Sequence, residues 1–129
     1  MQRVLLFMAD RALSTLRVHQ AAGLPKDATN LSLDVVNSTL LQRMLEKSAQ
    51  VRLTPDNHAQ FAALLPPILR RLFNGEHLLL RSLVNNGRVI MIVVADQGGG
   101  PFSEITVQAF GKTAQCIEKA LQNFSRRGQ

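Results

Sequence analysis

Five polar residues interrupt apolar, strand-like stretches of the chain, and their spacing is its first chemical signal. His77 and Arg81 stand four apart, Arg17 and His19 two apart, and Arg52 breaks a third short apolar run. Side chains two or four apart in a strand point to the same face. If those faces line a cavity between a sheet and the middle helices, guanidinium and imidazole groups there would orient an anionic or polar small molecule. Arg17, His19, Arg52, His77 and Arg81 are therefore the candidate ligand-binding set, although the spacing names no particular molecule. The competing reading makes them rim residues, with stems packed and heads in water.

Other chemistries find less support. "IVVADQGGGPFSE", Ile92 to Glu104, reads as strand, glycine loop and helix, an order that many phosphate sites share. Gly98 and Gly100 open a G-x-G, but Ser103 stands where the third glycine of a dinucleotide fingerprint belongs, and no Lys-Ser/Thr follows at Walker spacing. Pro101 removes one amide, and the preceding strand reads as half of a hairpin, whereas phosphate loops need a parallel βαβ setting. The loop is thus a connector. His19, His58, His77 and Cys116 form no His-x-x-x-His or Cys-x-x-Cys pair, so no metal and no cofactor is expected. Cys116 falls in a periodic apolar stretch and is expected to be buried and inert. With no plausible nucleophile–base pair, the chain is not expected to be an enzyme.

Composition narrows the class further. A chain of 129 residues, 46% hydrophobic and 19% charged, has the size and apolar content of one globular domain. The net charge of +6 comes from basic residues spread from Arg3 to Arg127, adjacent only at Arg70-Arg71 and Arg126-Arg127. There is no Trp or Tyr to interleave with them, so a nucleic-acid surface is not favoured. The apolar run Val89 to Ala95 is far too short to cross a bilayer, and the N-terminus lacks a secretory pattern. A single cysteine allows no internal disulfide and suits a cytoplasmic setting.

These side chains must be positioned by a recognisable order of elements. Arg3 to Ala9, Thr15 to Ala21 and "LSLDVV" from Leu31 read as strands, with a loop at Gly23 to Asn30. "NST" supplies N-cap candidates for a helix to Lys47 carrying Leu40, Leu41, Met44 and Leu45 on one face; a short strand, Ala49 to Leu53, follows. "LTPDN" suggests a helix capped by Thr54, and Pro66-Pro67 starts another that Gly75 can close. "EHLLLRSLV", "NNG" and "RVIMIVVAD" read as a hairpin, its second strand apolar on both faces. Ser103 then caps a long last helix to about Phe124. The order is that of an α+β domain with a mainly antiparallel sheet.

That last helix carries the interaction hypothesis. Val107, Phe110, Ala114, Ile117, Leu121 and Phe124 recur at spacings of three and four, a seam that can meet its own sheet or a second copy. Ala109, Cys116 and Ala120 form a second flank of small residues.

Together, "GLP" at Gly23 to Pro25, "LTPDNHAQFAALLPPILRRLF" at Leu53 to Phe73 and the hairpin from His77 to Asp96 resemble a GAF domain, and most of all the GAF-like region C-terminal to HDOD (HD-related output) domains. The resemblance implies a PAS/profilin-like sheet of about five to six strands with helices on both faces. It also implies a non-catalytic sensory or regulatory role in bacterial signal transduction, by small-ligand binding or by homodimer formation. The asparagine-lysine-phenylalanine signature of cyclic-nucleotide-binding GAF domains is missing, and the lone cysteine suits neither bilin attachment nor redox chemistry. GAF domains usually open with a helix beside the last one, whereas residues 1–129 start at the first strand. The chain therefore reads as a single C-terminal GAF-like domain without that helix, following an upstream signalling domain. A ligand-free protein-interaction domain is the alternative.

Overall fold

The computed structural model describes residues 3–10, 12, 14–35, 38–57, 60, 64–73, 77–85, 87–97 and 101–127, with side chains as far as residue 121. In chain order the elements are β1 (Arg3–Ala9), β2 (Thr15–Ala22), a 3₁₀ helix (Lys26–Asn30), β3 (Ser32–Asp34), α1 (Thr39–Glu46), β4 (Gln50–Leu53), α2 (Pro67–Leu72), β5 (Leu78–Asn85), β6 (Arg88–Asp96) and α3 (Glu104–Arg127). The six strands form one sheet in the order β3-β2-β1-β6-β5-β4. Every neighbouring pair is antiparallel.

The two faces are covered unequally. One buries the main core: Leu5, Phe7, Leu16, Leu80, Ile92 and Val94 pack with Leu41, Met44 and Leu45 of α1 and Leu69 of α2. The other carries a smaller cluster in which Leu83, Met91 and Val93 meet Ala114 of α3. β6 is buried from Val89 to Asp96 except for half-buried Ile90, as a central strand covered on both sides must be.

Local chemistry explains most boundaries. Ser38 caps α1, its hydroxyl accepting the Leu41 N–H at 3.2 Å and donating to the Leu64 carbonyl at 2.6 Å. Ser103 does the same for α3 through the Thr106 N–H at 3.1 Å. The hairpin closes with Asn85 opposite Arg88, and Gly87 adopts φ 75°, a conformation costly for other residues. The turn from β1 to β2 is tied by Asp10, whose carboxylate accepts the Ser14 N–H at 2.8 Å and the Thr15 N–H at 3.2 Å.

Several expectations change. The third strand stops at Asp34, because the chain turns through a Ser38 N–H to Val35 carbonyl bond to enter α1. The loop after Gly23 contains the 3₁₀ helix. Asn57, not Thr54, organises "LTPDN": its side-chain oxygen accepts the Thr54 N–H at 2.7 Å and its amide donates to the Arg52 carbonyl at 3.0 Å. Residues 58, 59 and 61–63 of the helix expected there, Gly75 and the glycine loop at residues 98–100 lie outside the described residues. Cys116 is exposed, contrary to expectation, because α3 turns that flank away from the sheet.

Candidate functional site

α3 divides its face of the sheet into two unlike flanks. Phe110, Ile117 and Leu121 pack against the cluster around Ala114, and Val107 is half-buried, so the main seam is engaged by the chain's own sheet. The side chain of Phe124 lies outside the described residues.

On one flank the sheet is left open. Six strands spaced about 4.8 Å apart span roughly 24 Å, whereas one helix with its side chains covers about 10 Å. α3 lies over β5 and β6, and a groove of about 1000 Å³ remains between it and β1–β2. Val4, Leu6 and Ala95 line the groove from the sheet, Ala109, Phe110 and Thr113 from the helix, and His19, Gln20 and Thr29 from the other side. Ile105, at 80% exposure, and Met8, at 39%, are the exposed large hydrophobic residues of the described chain. Ile105 lines this groove, and Met8 pairs with Arg17 on the neighbouring strand.

The other flank is polar. Arg52 of β4 reaches the start of α3, donating from Nη1 to Glu104 at 2.9 Å and from Nη2 to the Phe102 carbonyl at 3.0 Å. Arg81 of β5 donates to Gln50 Oε1 at 2.7 Å. Both groups lie against α3 where it has no side chain: a Cβ on Gly111 would sit 3.5 Å from Arg81 Nη1 and 3.6 Å from Gln50 Oε1. His77 immediately precedes β5 and is half-buried.

The five polar residues read from the sequence therefore do not share one cavity between the sheet and the middle helices. That face holds the apolar core. Arg52 and Arg81 lie beneath α3, and strand alternation puts His77 on the same side as Arg81. His19 lines the open groove, and Arg17 is exposed. β2 and β4 are separated by three strands, so the two groups stand roughly 19 Å apart at ordinary strand spacing. The β1–β2 register moves from Leu6 opposite Gln20 to Phe7 opposite Val18. His19 is thus the extra residue of a bulge, which breaks the simple alternation. The sequence reading missed Gln50, Gly111, and the Arg3–Asp96 pair joining the edges of β1 and β6. Among the described residues no three His, Cys, Asp or Glu side chains gather as a metal site, and no helix is long and apolar enough to cross a membrane.

No family model matches the sequence, and no curated protein does. Solved structures match the whole architecture. A methyl-accepting chemotaxis protein fragment, residues 122 to 287, superposes with a TM-score of 0.77 at 16% identity, covering 96% of this chain and 78% of that one. The GAF domain/HD domain protein from Geobacter sulfurreducens gives 0.68 at 22% identity, covering 94% and 82%. The second GAF domain of DevS from Mycobacterium smegmatis gives 0.65 at 18%, covering 100% and 87%. The chain has the GAF fold.

Proposed function

We propose that this chain is a non-catalytic regulatory GAF domain of a bacterial signal-transduction protein, which pairs with a second copy along α3. The observation that carries this reading is the open groove beside α3. Ile105, Ala109, Thr113, Cys116 and Ala120 present an exposed flank, and Val4 and Leu6 continue the apolar surface onto β1. A helix laid there from a partner would cover the half of the sheet that α3 leaves open, and two-fold pairing would do so for both copies. At 1.5 Å per residue α3 is about 36 Å long, enough for an extended contact. The helix ends the described chain and spans both flanks, so a change at either flank is carried along one rigid element.

The setting proposed is cytoplasmic, downstream of an HD-related domain, with a small-molecule ligand biasing the position of α3. The structural neighbours supply precedent for a signalling setting: they include GAF domains from multidomain proteins and a domain of a putative two-component sensor histidine kinase protein from Sinorhizobium meliloti. Light scattering on size-exclusion fractions tests the pairing. The wild-type chain is expected as a dimer at micromolar concentrations, and Ile105→Glu as a folded monomer. A wild-type monomer at high concentration overturns the reading.

A further inference from the structure

We infer that the polar flank of α3, at Arg52, His77 and Arg81, is a binding site for a small, multiply charged oxyanion. The register places Arg52 opposite Leu79; Arg81 is its same-face neighbour along β5, and His77, just before the strand, continues that alternation. Three nitrogen-bearing side chains therefore flank the buried Leu79 on the sheet face that α3 covers.

Among the described residues, their nitrogens are incompletely matched. Arg52 Nε, Arg81 Nε and His77 Nδ1 are buried without a hydrogen-bond partner among the described residues, which is uncommon for buried polar atoms. Among these same residues, the hydrogen-bond partner of Arg81 is the neutral amide of Gln50. Each guanidinium carries five donors suited to a carboxylate or phosphate fork.

One carboxylate already shows the geometry. Glu104 takes Arg52 Nη1 at 2.9 Å while its own side chain remains 79% exposed, so an anion can approach that guanidinium from solvent. Glu104 stands in for one oxyanion of the ligand. Gly111, where Arg81 lies, is seven residues or about 10 Å further along α3, so a ligand that displaces Glu104 engages Arg81 as well only through a second, separated anionic group. Because Glu104 and Phe102 flank the start of α3, exchanging the internal carboxylate for an external one shifts the tether between the sheet edge and that helix. This goes beyond the pairing proposal, and the two fail separately because the groove lies on the opposite flank.

The test is a titration of isotope-labelled protein with inorganic phosphate and, in a parallel arm, succinate, at constant ionic strength with chloride as the control. Saturable shifts at Arg52, Leu79, Arg81 and Phe102 are expected with one or both anions, and the arm that saturates identifies phosphate or carboxylate as the preferred group. Arg81→Gln should weaken the binding about tenfold or more, as loss of a charge-assisted contact does. Glu104→Gln should tighten it by removing the internal competitor. Responses no larger than those to chloride in both arms overturn the inference, as does equal affinity in Arg81→Gln.

Discussion

Arg3 and Asp96, 93 positions apart in sequence, face each other across the β1–β6 ladder and join as a two-pronged ion pair. The Asp96 side chain is wholly buried and that of Arg3 is 22% exposed. Arg3 also donates to the Leu72 carbonyl at 3.3 Å and lies 5.9 Å from the ring centre of Phe73. One guanidinium thus ties two central strands to the end of α2, and its bond to Asp96 holds its proton more firmly than usual.

Removing that guanidinium leaves a carboxylate buried. Arg3→Ala is expected to destabilise the fold by about 2–4 kcal/mol, below the full cost of breaking a buried pair because Arg3 is partly solvated. Arg3→Met with Asp96→Leu should recover part of that loss. Urea denaturation of the three chains measures both effects, and an Arg3→Ala chain as stable as the wild type contradicts the role given to the pair.

Ser82 fastens α1 to the sheet. It is buried, donates its hydroxyl to the Met44 carbonyl at 2.8 Å and accepts the Ala49 N–H at 3.3 Å. Ser82→Ala leaves both backbone groups short of a partner, so a loss of about 1–3 kcal/mol is expected. Amide exchange should quicken at Ala49 before it does so in β6.

Acid should loosen the β1–β2 turn. The Ser14 N–H, then the Thr15 N–H and the Ser14 hydroxyl, hold the Asp10 carboxyl below the ordinary aspartate range. The unfolded chain therefore takes up this proton at a higher pH than the folded one. Asp10's contribution is complete above the ordinary aspartate value of about 3.9 and is lost as pH falls through the lower folded value. An NMR titration of Asp10 should show the lowered midpoint, and Asp10→Ala should flatten the acid limb of stability against pH.

Cys116 reports on the pairing directly. Exposed on α3, it should react readily with a maleimide in dilute solution and more slowly as concentration rises. Equal rates at all concentrations would count against a partner on that flank. Slow reaction even at high dilution would contradict the orientation of the helix.

Much of the architecture was readable because its signals are local. The hairpin announces itself through "NNG" between two apolar runs, and β6 through an unbroken series of apolar residues. α1 and α3 show themselves through three-four spacing behind Ser38 and Ser103. The site was less legible. Arg52 and Arg81 were picked out as polar residues in strands, but which face of the sheet they occupy depends on where the helices pack. His19 was assigned by simple alternation, and the β2 bulge removes that rule at that residue. Gly111 carries no signal of its own, since its meaning comes from the two side chains lying against it.

The sequence by itself determined that this chain builds an α+β domain, where its strands and long helices run, and that its last helix has one apolar seam and one small-residue flank. These follow from backbone propensity and side-chain periodicity, which act over a few residues. Only the tertiary structure decided that the seam is spent on β5 and β6, leaving a groove over β1 and β2. It alone put Arg52 and Arg81 beneath α3, away from the main core, and brought Arg3 to Asp96. These choices depend on strand order and on which face each helix covers, which are set by burying the largest apolar area in one sheet.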